Sequence, residues 1–144
     1  MVSSVKPVIL VVEDEMSFRQ VYADALEHLG MDVIAVADGE EAWSILWSQK
    51  IDLVLLDLIL PKIDGLALLQ LMKAEDITKE IPVVVSSVIG DEIAIQQAMK
   101  LGAHKYLHKG STSVPEIARI VHQIAKSQMA PLSPKSRKTK TPKP

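Results

Sequence analysis

Val8-Ile9-Leu10-Val11-Val12-Glu13-Asp14-Glu15 decides how the rest of the chain is read: five apolar residues, four of them β-branched, run directly into three acids. A continuous apolar run without polar alternation is the pattern of a strand buried on both faces, as in a parallel sheet between two helix layers. Polar residues at the carboxyl end of such a strand fall where ligands sit in sheets of this kind.

Outward from that strand, apolar runs and helical spacings alternate. Phe18, Val21, Tyr22, Ala25, Leu26 and Leu29 predict a helix over 16–29, stopped at Gly30. Val33 to Val36 is a short strand, and Asp38-Gly39 reads as a turn before a helix over 40–49. Leu53 to Leu56 is the next buried strand. Pro61 and Asp64-Gly65 punctuate a loop before a helix from Leu66 to Lys73. Pro82 opens the strand Val83 to Val85, a helix covers 91–101 up to Gly102, and Tyr106-Leu107 lies in a short last strand. Ser113 with Glu116 has the spacing of a capping box, Pro115 suits a first helical turn, and the last helix is expected to end near residue 127. Five strands and five helices in strict alternation predict a doubly wound α/β fold with a parallel sheet covered on both faces.

Length and charge divide the chain in two. Residues 1–127 suit one domain; residues 128–144 form a basic tail rich in Pro, Ser, Thr and Lys, read as disordered or as a linker. Residues 127–144 carry five basic residues and no acid, whereas residues 1–126 carry 11 basic and 18 acidic residues, a net −7. An acidic body and a tail without interleaved aromatics argue against direct nucleic-acid binding. The absence of cysteine removes disulfides, thiolate metal sites and thiol nucleophiles. No apolar run approaches the roughly 20 residues of a membrane span, and residues 1–6 lack a signal-peptide pattern. The expected location is the cytoplasm, without membrane contact.

The chemistry concentrates at strand ends. The first strand ends in Glu13-Asp14-Glu15, the third in Asp57, the fourth in Ser86-Ser87 and the fifth in His108-Lys109. With the first strand central, these ends bring together at least three carboxylates, a hydroxyl and an ammonium. Carboxylates that crowd one another need a cation between them. A hard divalent ion with oxygen ligands answers that need, and Lys109 adds a second positive charge. Asp57 then becomes a usable nucleophile toward a phosphoryl donor, because phosphoryl transfer asks for positioning and charge neutralisation above all.

Residues 9–15, Asp57 through Gly65, Pro82 through Ser87, and Tyr106-Leu107-His108-Lys109 together resemble the receiver domain of two-component response regulators, of the single-domain chemotaxis-regulator type. The resemblance covers residues 6–126. It implies a flavodoxin-like sheet of strand order 2-1-3-4-5 and a phosphorylation switch, not an enzyme. It implies Asp57 as phosphoacceptor and Mg²⁺ (or Mn²⁺) held by Asp14, by Glu13 through water, by Asp57 and by the Ile59 backbone carbonyl. It further implies Ser87 and Lys109 as the groups that close on the phosphoryl oxygens, and Tyr106, with Ser87, as the switch. The implied phosphodonor is a histidine kinase or phosphotransfer protein. The implied output is a downstream protein, or a second copy of the chain, bound through residues 91–127. No output domain follows residue 127, so the protein is expected to act as a stand-alone receiver or as part of a longer regulator.

Three positions depart from the family pattern. Gly110 stands where a cis proline usually follows the lysine. A non-proline cis bond costs about 2.5–4 kcal/mol, so a trans, more mobile loop is expected. Val88 replaces a smaller residue after the switch hydroxyl, and Ile59 puts an apolar side chain over the site. Both predict slow hydrolysis of the phosphorylated form. The alternatives are a pseudo-receiver scaffold that never carries phosphate, which Gly110 keeps open, and an Asp-nucleophile phosphohydrolase, whose Asp-x-Asp motif would need an acid at Ile59. A flavin-binding protein would need a Ser/Thr/Gly-rich loop after the first strand. Trp43 and Trp47, four apart, read as packing residues. His28, His104, His108 and His122 show no ligand spacing and are read as carrying no function.

Overall fold

The computed structural model describes residues 5–129. In chain order the elements are β1 (Val8–Val12), α1 (Met16–His28), β2 (Asp32–Val36), α2 (Gly39–Ser48), β3 (Leu53–Leu56), α3 (Gly65–Ala74), β4 (Val83–Ser87), α4 (Glu92–Lys100), β5 (Lys105–His108) and α5 (Val114–Met129). All strands are parallel, in the order β2-β1-β3-β4-β5. The doubly wound architecture is therefore as the alternation of elements predicts, and the flavodoxin-like strand order is the one the resemblance implies.

Alternation along the strands sorts the core into two layers. Ile9 and Val11 of β1, Leu53 and Leu55 of β3 and Val84 of β4 pack against Tyr22 and Leu26 of α1 and Ile117 and Val121 of α5. Leu10 and Val12, Val54 and Leu56, and Val83 and Val85 face the other way, toward Ala42 and Leu46 of α2, Leu68, Leu69 and Met72 of α3, and Ala98 of α4. Covered on both faces, β1 and β3 are almost wholly apolar. Their first polar residues therefore come where the strands leave the sheet.

Helix ends account for several differences from the sequence reading. Asp38 and Asp64, expected in turns, are N-caps: Asp38 accepts from the Glu41 amide at 2.8 Å and Asp64 from the Ala67 amide at 2.9 Å. Asp91 caps α4 in the same way, from Ala94 at 2.8 Å. These side-chain oxygens satisfy amides that the first turn leaves without intrahelical partners, so each helix begins one residue past its aspartate. At α5, the Glu116 amide donates to Ser113 Oγ at 3.3 Å. This helix reaches Met129, two residues beyond the expected end, because nothing in Ser127-Gln128-Met129 breaks it. The tail reading for 130–144 lies outside the described residues. β4 extends to Ser87 and β5 spans Lys105–His108, so both strands carry polar residues inside their paired ends.

The loop from Asp57 to Asp64 is drawn tightly over the sheet edge. A Cβ on Gly39 would stand 2.0 Å from the Ile63 carbonyl oxygen, and one on Gly65 would stand 2.5 Å from the Asp57 carbonyl oxygen and from Leu58 Cα. The Gly65 amide donates to the Leu58 carbonyl at 2.9 Å. The first turn of α3 thus lies directly on the backbone that carries Asp57. Gly65→Ala tests this packing. Alanine is favoured over glycine in a helix by about 1 kcal/mol, yet the substitution should lower stability in urea unfolding; a gain would show that the backbone there yields freely.

Candidate acidic phosphoryl and metal site

The carboxyl ends of β1, β3, β4 and β5 bring the polar side chains together. Among the described residues, carboxylate oxygens of Glu13, Asp14 and Asp57 lie within 4.8 Å of one another. Glu13 and Asp57 are buried, at 2% and 6% exposure, while Asp14 is open to solvent. The backbone sets these positions: the Glu13 amide donates to the Val36 carbonyl at 3.1 Å and the Asp57 amide to the Val12 carbonyl at 3.0 Å.

One ammonium holds the buried pair. Lys109 Nζ is 2.6 Å from Glu13 Oε1 and 3.3 Å from Asp57 Oδ2. The remaining oxygens take backbone donors, Glu13 Oε2 from the Glu15 amide at 3.1 Å and Asp57 Oδ1 from the Ile59 amide at 3.3 Å. The Lys109 ammonium also lies 4.2 Å from the centroid of the Phe18 ring, within cation–π range. Arg19 donates to the carbonyls of Glu13 and Asp14, at 2.9 and 3.3 Å, and ties down the loop after β1. Lys109 keeps this place although Gly110 follows it: among the described residues no peptide bond is cis, and the Lys109 amide donates to the Ser87 carbonyl at 2.8 Å.

Ser87 is fully buried at the end of β4, where its Oγ accepts from the Ile89 amide at 3.1 Å. Tyr106 is half-buried and its hydroxyl donates to the Ile89 carbonyl. Burial holds the Tyr106 phenol above its ordinary pKa, against a hydrogen bond with Ser87. Ile59 and Val88 both lie about half exposed rather than sealed over the cluster.

The sequence reading missed the α1 contribution. Phe18 and Tyr22 appeared only as core positions, yet Phe18 lies under the ammonium and the Tyr22 hydroxyl bonds Ser86 Oγ at 2.8 Å inside the core. The signal was present: the two aromatics are four apart on a helix that starts beside the acids, so they share one face. Trp43 and Trp47 form an edge-on pair with ring centroids 5.9 Å apart, Trp43 against the core and Trp47 exposed, in keeping with a packing role.

The three carboxylates offer hard oxygen ligands, the type that Mg²⁺ and Mn²⁺ take, and Asp14 is the one exposed to solvent. Glu13 shows the cost of leaving the carboxylates together. Burial, then the Asp57 charge, raises its pKa above 4.5, against the Lys109 hydrogen bond. For Lys109, burial opposes the charge, but the Glu13 hydrogen bond and the charges of Asp57 and Glu13 outweigh it and lift the group above 10.5.

The sequence profile of the response regulator receiver domain matches residues 9–122. The chain is 31% identical over 112 residues to the phosphate regulon transcriptional regulatory protein PhoB of Pseudomonas aeruginosa, covering 78% of this chain and 49% of that one. It is 35% identical over 105 residues to "Probable chemotaxis protein CheY" of Rhizobium etli, covering 72% and 81%. Among solved structures, the phosphorylated cyanobacterial phytochrome response regulator RcpA superposes with a TM-score of 0.75 at 30% identity, covering 90% of this chain and 98% of that one. The chain spans about half the length of several curated transcriptional-regulator relatives.

The raised Glu13 pKa has a definite sign. The folded protein keeps that proton to higher pH than the unfolded chain, so Glu13 contributes a fall in stability as pH rises above 4.5. Lys109 contributes stability that is complete below 10.5 and is lost as pH climbs through its higher folded value. Urea unfolding in metal-free buffer should show the Glu13 decline. It should flatten in Glu13→Gln and shrink when Mg²⁺ is added; an identical slope in the variant would remove Glu13 as its source.

Proposed function

The chain belongs to the response regulator receiver domain family of two-component signalling, and we propose that it is a phosphorylation-dependent switch whose phosphoacceptor is Asp57. The observation that carries this reading is the buried Asp57 carboxylate sharing one ammonium with Glu13 at the edge of an acidic oxygen cluster. RcpA, a structural relative, is described in its phosphorylated form.

Asp57 is the attacking group. A carboxylate oxygen forms the new O–P bond while the donor's bond to phosphorus breaks, N–P in a phosphohistidine or O–P in an acyl phosphate, and the leaving group keeps the electron pair. Asp14, Asp57, the Ile59 carbonyl and, through water, Glu13 would hold Mg²⁺ or Mn²⁺. Held there, such an ion would supply positive charge against phosphoryl oxygens and against the repulsion among the carboxylates. Lys109, bonded to Asp57 and Glu13, supplies a second positive charge. Ser87, whose Oγ accepts from the Ile89 amide at the end of β4, would turn its hydroxyl hydrogen to a phosphoryl oxygen.

Transfer adds about −1.5 to −2 charge units at Asp57. A group drawn toward that charge must pull on the loop after β4, because Ser87 and Tyr106 both bond Ile89. Repacking of Tyr106 then alters the surface built from residues 91–127, α4, β5 and α5. That surface would engage a downstream protein or a second copy of the chain. The phosphodonor is a histidine kinase or phosphotransfer protein, and a switch fed in this way works in the cytoplasm. Among the described residues no helix is long and apolar enough to cross a membrane. Direct DNA contact by the receiver itself is not part of this reading.

Incubation with Mg²⁺ and acetyl phosphate, followed by intact mass, should add one phosphoryl group to the wild type and none to Asp57→Asn. An unmodified wild type would favour the pseudo-receiver alternative. Because Ile59 offers attacking water no polar side chain, the phosphorylated form should hydrolyse slowly; a half-life of seconds would refute that part.

A further inference from the structure

Tyr106 and His108 are two residues apart on β5, so both side chains lean to one side of the sheet. There they meet consecutive carbonyls of the loop after β4. The Tyr106 hydroxyl donates to the Ile89 carbonyl, and His108 Nε2 lies 3.0 Å from the Val88 carbonyl oxygen. A carbonyl only accepts, so Nε2 carries the hydrogen. Nδ1 of the neutral ring is then the acceptor for the Ser111 hydroxyl, 3.2 Å away.

The imidazole lies between two glycines. A Cβ on Gly90 would stand 2.7 Å from His108 Cδ2, and one on Gly110 would stand 2.9 Å from Cε1. The ring therefore occupies space that both positions leave by lacking a side chain. On one side it touches the loop that follows Ser87, and on the other the loop that follows Lys109.

We propose that His108 is a positioning residue that straps the Val88–Gly90 loop to the Lys109–Ser111 loop and so sets the Ser87 hydroxyl against the Lys109 ammonium. The proposal rests on the phosphoacceptor reading above. Gly110 explains the need for a strap. Glycine leaves the backbone beside Lys109 with the greatest conformational freedom of any residue, and ordering a loose loop on binding costs affinity. The His108 contacts restrain that loop before a phosphoryl group arrives. The carboxylate cluster itself stands on β1 and β3, so the strap bears on metal binding only through the Lys109 ammonium, whereas it bears on a phosphoryl group through Ser87 as well.

That separation makes the test specific. Calorimetric titration gives two affinities, for Mg²⁺ alone and for beryllofluoride, a phosphoryl mimic, in saturating Mg²⁺. His108→Ala should weaken beryllofluoride binding by about fivefold, the net worth of one hydrogen bond, and change Mg²⁺ affinity by clearly less. His108→Gln retains an N–H donor for the Val88 carbonyl and should recover most of the loss. Gly110→Ala should weaken beryllofluoride binding with His108 present and have no further effect in His108→Ala, because its added methyl acts through the ring. Equal beryllofluoride affinity in wild type and His108→Ala would overturn the strap while leaving the phosphoacceptor reading intact. Parallel losses of Mg²⁺ and beryllofluoride affinity, with a lowered melting temperature, would also overturn it, as the mark of general destabilisation. A wild type that binds Mg²⁺ but not beryllofluoride would overturn the phosphoacceptor reading and the strap with it.

Discussion

Three carboxylates and one ammonium share the carboxyl edge of the sheet, and most of what surrounds them answers that imbalance. Burying Glu13 and Asp57 removes the water that would otherwise stabilise their charges. Lys109 offsets part of that cost. It too is nearly buried, with 5% of its side chain exposed, so its charge depends on the same two acids. A buried arrangement of this kind is costly to break by removing one partner, because the others are left uncompensated. It is equally sensitive to an added charge, which is the property a phosphorylation switch requires.

The fold holds these groups through backbone more than through side chains. β1 and β3 are adjacent, so Glu13 and Asp57 leave the sheet side by side, each amide still bonded to a neighbouring strand's carbonyl. Gly65 lets α3 rest on the Asp57 peptide, and Arg19 clamps the loop after β1 from the first turns of α1. Helix α1 supplies the apolar side of the site as well, through the Phe18 ring beneath Lys109. The acidic half of the site is therefore the one tied to the sheet by backbone hydrogen bonds. The half formed by the loops after β4 and β5 is joined by the Lys109 amide, by Tyr106 and by His108. That division separates the acidic cluster on β1 and β3 from the loops that carry Ser87 and Lys109.

Element type and order were legible because strands covered on both faces must be continuously apolar and surface helices must be amphipathic. Val8 to Val12 and Leu53 to Leu56 have no other economical reading. Helix starts were less legible: Asp38-Gly39 and Asp64-Gly65 have the composition of turns, and an aspartate serves a turn or an N-cap by the same short-range hydrogen bond. The Glu41 spacing after Asp38 was the available clue. At the site, the acids, Ser87 and Lys109 stood out by type and by position at strand ends, and Tyr106 only through the family resemblance. Phe18 and His108 did not, since an aromatic on a helix face and a histidine at a strand end have ordinary packing explanations.

Local pattern alone specified a parallel α/β sheet with its polar chemistry at one edge, because burial dictates residue type along each element whatever its neighbours are. Which side chains share an ion, a ring or a carbonyl was decided by the packed molecule. Lys109 and Glu13 are 96 residues apart, and Tyr22 and Ser86 are 64 apart. Such pairings arise from strand order and from the close approaches that Gly65, Gly90 and Gly110 permit. A linear pattern carries no distance between residues on different elements, so those contacts exist only once the sheet has closed.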